Sequence, residues 1–397
     1  MVFQLVLLWE FARHFQMAGQ LWEVVGGGDK GGILVREGQA LDSRQAPERL
    51  ATGALVREKE LIGERLHFER LSATGPQSGW VSVRLKDKEL LVKSTKTPPP
   101  EPLQPLAASK WVVRYKHAPK ARCRLLCAFG AGTDANTFNS WNAVVKDRFL
   151  DVELVLLQLP GRGSHRQTEL QKDAREAARH IADELARMEG TSTPAKLALL
   201  GFSIGAVLCF ALCQELERRG RAPLRLYVSG RAGPGISFLD PEEEKQTTYP
   251  AYMRWFVKSF VTPQDIAKVE QIIESTEDPE NDGLLKSIRE MQYQDLRLGN
   301  SLVPEDVSQV ASDIFIVSSD GDRCWPARDS SANSPSCSPP YEDIAETWQP
   351  WSSGALSSKV LSGVPHYELC AEPLLETVCR DLTSILSSDT AAAVPDT

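Results

Sequence analysis

The chain has no Cys-x-x-Cys pair, no Asn-x-Ser/Thr acceptor and no block of lysine and arginine. Its eight cysteines stand scattered at 123, 127, 209, 213, 324, 337, 370 and 379, and no histidine lies at zinc-ligand spacing from them. Neither a metal site nor a disulfide framework is therefore expected. Reduced thiols in a cytoplasmic compartment are the expectation, an organelle remaining open. A formal net charge of −8, with the positive charges dispersed, supplies no basic field and argues against a nucleic-acid partner. Long hydrophobic runs are missing as well. The apolar stretch Val2 to Trp9 is too short to span a bilayer. It also lacks the basic flank and cleavage site of a signal peptide, so a short N-terminal helix or extension over residues 1–20 is predicted and no membrane span.

What is present is an ordinary globular composition, 42% hydrophobic and 25% charged over 397 residues, enough for more than one domain. Between Leu21 and Val92 the chain alternates short β-like runs with glycine and polar turns: Ile33 to Arg36, Ala54 to Arg57, Arg65 to Leu71, Trp80 to Leu85 and Glu89 to Val92. That rhythm predicts a small all-β barrel over residues 21–92. Ile33-Leu-Val-Arg-Glu37-Gly38, Gly53 and Ser78-Gly79-Trp80-Val81 resemble bacterial-type SH3-like modules. Residues 93–110, with Pro98-Pro99-Pro100 and further prolines at 102 and 105, read as an extended linker.

From Trp111 onward strands and helices alternate, which predicts an α/β domain over residues 111–386 with a mostly parallel sheet. The apolar run Cys123 to Phe129 leads through Gly130-Ala131-Gly132 to a helix ending near Trp141. Val152 to Gln158, Lys196 to Leu200, Arg225 to Gly230, Asp313 to Val317 and Ser358 to Leu361 read as further strands. Asp173 to Glu189 and Ile204 to Arg219 read as helices that stop at Gly190 and Gly220. The stretch of about 236–300 interrupts this rhythm and suits a helical lid. The tail over 387–397 is small and polar, and disorder is expected there.

Gly201-Phe-Ser203-Ile-Gly205, set between a strand and a helix, places a serine on the sharp turn of a nucleophile elbow, the α/β-hydrolase arrangement. A serine hydroxyl needs a base and a group to orient that base. In this fold the order is serine, acid, histidine, and His366 is the one histidine after Ser203. The acid belongs after the strand ending at Val317, where Asp320 and Asp322 compete. An oxyanion hole needs two N–H donors, one from Ile204 and the other from the loop Phe129 to Gly132.

Together these segments resemble the type II thioesterases of polyketide and nonribosomal peptide synthesis. Leu125-Leu-Cys-Ala-Phe-Gly-Ala131-Gly132 is similar to that family's Leu-Phe-Cys-Phe-Pro-Tyr-Ala-Gly-Gly. Gln158-Leu-Pro-Gly-Arg162-Gly163 repeats its Gln-Leu-Pro-Gly-Arg-Gly, and Val228-Ser-Gly-Arg231 its Val-Ser-Gly-Arg. Gly201 to Ala206 follows Gly-His-Ser-Met/Leu-Gly-Ala, and Gly363-Val-Pro-His366 follows Gly-Gly-His. The resemblance runs from about Arg122 to Leu386. It implies Ser203 as nucleophile, His366 as base, Asp322 as acid, and the N–H groups of Ile204 and Ala131 as oxyanion hole. It further implies hydrolysis of an acyl thioester on the phosphopantetheine arm of an acyl carrier protein or synthase module, with no resident cofactor. Phe202 stands where the family has histidine, Phe129-Gly130 where it has Pro-Tyr, and Cys324 to Ser352 is longer than in the family. A general carboxylesterase or lipase, or a binding protein on an inactive hydrolase scaffold, are the rival readings.

Overall fold

The computed structural model describes residues 20–96, 106–107, 109, 111–114, 118–138, 140–162, 168–190, 194–236, 271, 274–275, 283–302, 308–322, 324 and 339–391. The sequence-derived N-terminal helix, the proline-rich centre of the linker, most of the 236–300 insertion and residues 325–338 lie outside that set, as does the tail beyond Ala391. The chain divides into two units, residues 1–101 with 386–397, and residues 102–385.

The first unit is all-β. Its strands are β1 (Leu21–Val24), β2 (Ile33–Arg36), β3 (Gln45–Leu50), β4 (Leu55–Ile62), β5 (Arg65–Arg70), β6 (Ser78–Ser82), β7 (Arg84–Leu85), β8 (Lys88–Glu89) and β9 (Leu91–Lys93). Seven of them form an antiparallel sheet in the order β3-β2-β6-β5-β4-β1-β9, while β7 and β8 pair separately. Period-two alternation turns one face inward. Trp22, Val24, Ile33, Val35, Leu50, Ala54, Val56, Leu66, Phe68, Val81 and Leu91 meet there as one core cluster. The edge strand β3, sequence Gln-Ala-Pro-Glu-Arg-Leu, buries only Leu50, so its polar pattern hid it from the sequence reading.

The second unit carries a seven-stranded sheet in the order β10-β12-β11-β13-β14-β15-β16. These are β10 (Val112–Arg114), β11 (Cys123–Ala128), β12 (Val152–Leu157), β13 (Lys196–Phe202), β14 (Leu226–Ser229), β15 (Ile314–Ser319) and β16 (Leu356–Leu361). Only the edge strand β10 pairs antiparallel; every other neighbour is parallel. Strands β11, β12 and β14 are buried at every residue, the pattern of a parallel sheet covered on both faces. The described helices are α1 (Trp141–Arg148), α2 (Ala174–Glu189), α3 (Ile204–Arg218), α4 (Gly283–Gly299) and α5 (Glu372–Ala391). Asp173 caps α2 by accepting the Glu176 N–H at 2.9 Å, and α2 turns Ala177, Ala178, Ile181, Ala182, Leu185 and Met188 inward.

Two expectations need correction. The helix placed between Gly132 and Trp141 is a 3-10 turn, Ala135–Phe138, and the α-helix begins only at Trp141. Asp134 accepts the Asn136 N–H at 2.8 Å, which makes a local Asx turn in place of a longer helix. At the other end, α5 runs to Ala391, five residues into the predicted disordered tail.

No disulfide joins the described cysteines, and six of the seven are buried. Burial pushes the Cys123 and Cys379 thiols up to about 12, so they pack as small apolar groups. The core sets the energetics. Leu199→Ala, at a fully buried site in β13, is expected to cost about 2–5 kcal/mol. Val360→Ala, half-exposed on β16, should stay within about 0.5 kcal/mol, as read from the denaturant midpoint of this unit.

Candidate active site

Ser203 links β13 to α3 with φ 54° and ψ −122°, a backbone conformation that L-residues rarely adopt. Such a residue costs about 1–3 kcal/mol and persists only where its surroundings enforce it. Here the Ser203 N–H donates to the Ser229 carbonyl at 2.8 Å, and the Ala206 N–H to the Ser203 carbonyl at 3.0 Å. The flanking glycines are required by contact. A Cβ on Gly201 would lie 2.3 Å from the Gly205 carbonyl oxygen, and one on Gly205 2.5 Å from that of Ala128.

His366 begins a 3-10 turn, His366–Cys370, that follows β16. Its Nδ1 lies 2.7 Å from Asp322 Oδ2 and its Nε2 3.1 Å from Ser203 Oγ. A carboxylate can only accept, so Nδ1 carries the proton and donates it to Asp322. That leaves the Nε2 lone pair to accept from the Ser203 hydroxyl, the tautomer a general base needs. All three side chains are at least 97% buried. Asp322 Oδ1 also accepts the Cys324 N–H at 2.9 Å.

The competing aspartate has a different task. Asp320 accepts from Ser362 Oγ at 3.1 Å and from the Gly363 N–H, tying the acid loop to the loop that carries His366. Ser319 adds to that tie by donating its hydroxyl to the Val364 carbonyl at 2.7 Å. These loops are neighbours because β15 and β16 pair in parallel, Ser319 opposite Leu361.

Ile204 is the first residue of α3, where helical N–H groups have no intrahelical acceptor. Ala131 lies in the loop after β11, and that loop reaches the nucleophile: a Cβ on Gly130 would be 3.3 Å from Ser203 Cβ. Among the described residues neither N–H donates to a backbone acceptor. The two departures from the family motif fit each other. The Phe202 ring lies 5.0 Å from the His366 ring, and a Cβ on Gly130 would come within 3.0 Å of it. The larger ring before the nucleophile thus fills space that a side chain at 130 would need.

Two arginines of the sequence motifs reach one helix, α4. Arg162, buried, makes a two-pronged ion pair with Asp295 of α4, at 2.8 and 2.5 Å. Arg231, also buried, donates to the Gly299 carbonyl at 3.2 Å and to Asn300 Oδ1 at 3.3 Å. In the sequence nothing local to its helix distinguishes Asp295 from a solvated acid.

A parallel sheet with a serine elbow, a buried aspartate and a histidine in this chain order defines an α/β-hydrolase. Within that class the match is specific: residues 123–386 fit the model of the thioesterase domain, and the chain belongs to that family. It is similar to the thioesterase PikA5 of Streptomyces venezuelae, 33% identical over 128 residues, 32% of this chain and 43% of that protein. A probable cadicidin biosynthesis thioesterase of Streptomyces griseus is 33% identical over 131 residues, 33% of this chain and 34% of that one. The chain thus spans less than half the length of these curated relatives. Among solved structures, the RedJ thioesterase of the prodiginine pathway in Streptomyces coelicolor shares the fold. Its TM-score is 0.50 at 20% identity, over 71% of this chain and 91% of that one.

If Asp322 orients the base, Asp322→Asn should lower kcat by about 10⁴, because it stabilises the wrong tautomer. Asp320→Asn should stay within about tenfold, because only a loop tie is lost. Steady-state hydrolysis by the two purified variants separates the roles.

Proposed function

We propose that this chain is a serine thioesterase that hydrolyses acyl groups from the phosphopantetheine arm of a carrier protein or synthase module. The observation that carries the reading is the hydrogen-bonded line Ser203–His366–Asp322 inside a thioesterase-family domain. Ser203 Oγ attacks the thioester carbonyl while His366 Nε2 takes its proton. The N–H groups of Ile204 and Ala131 receive the oxyanion, and Asp322 stabilises the imidazolium. Collapse breaks the C–S bond, and His366 returns the proton to the departing thiolate. Water then attacks the acyl-enzyme, again with His366 as base, and frees a carboxylic acid and Ser203. Each proton has a protein group to carry it, so the scheme needs no metal and no resident cofactor.

The polyketide and nonribosomal peptide setting is supported by the run Pro160-Gly161-Arg162-Gly163 and by similarity to relatives such as the probable cadicidin biosynthesis thioesterase. We place the reaction in the cytoplasm, in keeping with mostly buried cysteines that form no disulfide among the described residues. No described helix is long and apolar enough to cross a membrane.

Release of free acid from acetyl-, butyryl- and longer acyl-pantetheine carrier substrates tests the reading. Wild type should turn over thioesters faster than matched oxygen esters, and Ser203→Ala should lose about 10⁴ or more in kcat. Equal turnover by Ser203→Ala, or faster oxygen-ester cleavage, would contradict it.

A further inference from the structure

The contacts of α4 converge on both halves of the oxyanion hole. Asp295 is fully buried. Its Oδ2 accepts the Gly132 N–H at 2.8 Å and Arg162 Nη1 at 2.8 Å, and its Oδ1 accepts Arg162 Nη2 at 2.5 Å. Arg162 Nη1 also donates to the Thr133 carbonyl at 3.0 Å, and its guanidinium lies over the Phe129 ring, 5.1 Å from the centroid. One carboxylate and one guanidinium therefore hold the loop 129–133, which contains Ala131. One helical turn further along, Gly299 packs on the other donor residue. A Cβ there would lie 2.9 Å from Ile204 Cγ2.

The bond to Gly132 matters because of where it acts. The peptide plane carrying the Gly132 N–H and the plane carrying the Ala131 N–H share the Ala131 Cα. Fixing one plane limits the rotation that would swing the other away from the nucleophile. Gly132 itself sits at φ 73°, and a Cβ there would lie 2.6 Å from Gln292 Cγ of the same helix. The loop is thus seated on α4 by contact as well as by hydrogen bonds. A buried ion pair is weak evidence for stability, since desolvation offsets its attraction. Geometry is the better explanation of this one.

We propose that Asp295 is a positioning residue for the oxyanion hole: gripped by Arg162, it holds the Gly132 N–H and so aims the Ala131 N–H at the thioester oxygen. The inference rests on the serine-thioesterase reading above. Its consequence is that the Pro-Gly-Arg-Gly motif acts on catalysis through α4, without touching substrate.

The test uses two full-length variants, with kcat and KM measured on butyryl-N-acetylcysteamine per site titrated by a fluorophosphonate. Asp295→Leu combined with Arg162→Met removes both charges and leaves no buried ion unpaired, so it should melt near the wild-type temperature. Its kcat should nevertheless fall about 10²-fold, because Gly132 has lost its acceptor, with KM within about threefold. Asp295→Asn keeps an acceptor oxygen for Gly132 but strands Arg162. It should recover most of kcat while melting lower than wild type. A folded double variant with wild-type kcat per titrated site would overturn the inference. So would kcat that follows melting temperature across the two variants, which is the signature of a purely structural pair. Absence of turnover by wild type would instead sink the thioesterase reading beneath it.

Discussion

A serine held at φ 54° between a buried strand and a buried helix is the constraint to which the rest of the domain answers. The strain needs walls on every side, and each wall leaves a mark in the chain. Gly201 and Gly205 are small because the carbonyls of Gly205 and Ala128 occupy the space a Cβ would take. The carbonyl of Ser229 holds the Ser203 amide from the next strand. Because β13 after Lys196 and α3 from Ile204 to Cys213 are apolar and buried, the elbow rests on a packed support, and Ser203 stands at the N-terminus of α3, where helical N–H groups lack intrahelical acceptors.

The parallel sheet then does the assembling. Four of its strands, β11, β13, β15 and β16, send their C-terminal loops to one edge, and each loop brings one residue of the proposed site. The loop after β11 brings Ala131, β13 ends in Ser203, β15 leads to Asp322 and β16 to His366. Ligand and catalytic groups collect at such strand ends because the chain crosses from sheet to helix there. Polar tethers between the loops, Ser319 to Val364 and Asp320 to Gly363, set the acid against the base. Helix α4 closes the other side, with Arg162 and Arg231 each reaching it from a separate strand end.

The legible parts of this site were the local ones. The elbow is five consecutive residues between two strongly patterned elements, and His366 follows from chain order because no other histidine comes after Ser203. Choosing between Asp320 and Asp322 was harder, since two residues of separation decide which carboxylate faces His366 and which caps a loop; residue matching to a family pointed to Asp322, and the geometry gives the reason. Asp295 was invisible. Its partners Arg162 and Gly132 lie 133 and 163 positions away, and its burial depends on how α4 packs, which no local pattern encodes. The strand β3 escaped for the opposite reason, being an edge whose polar residues carry no alternation.

The most direct test of the account is the site of covalent labelling by a fluorophosphonate, mapped by peptide mass spectrometry. A hydroxyl activated by His366 predicts a single adduct per chain, on Ser203, in wild type and almost none at the same exposure in His366→Ala. An adduct on another residue, or equal labelling of Ser203 without His366, would contradict it.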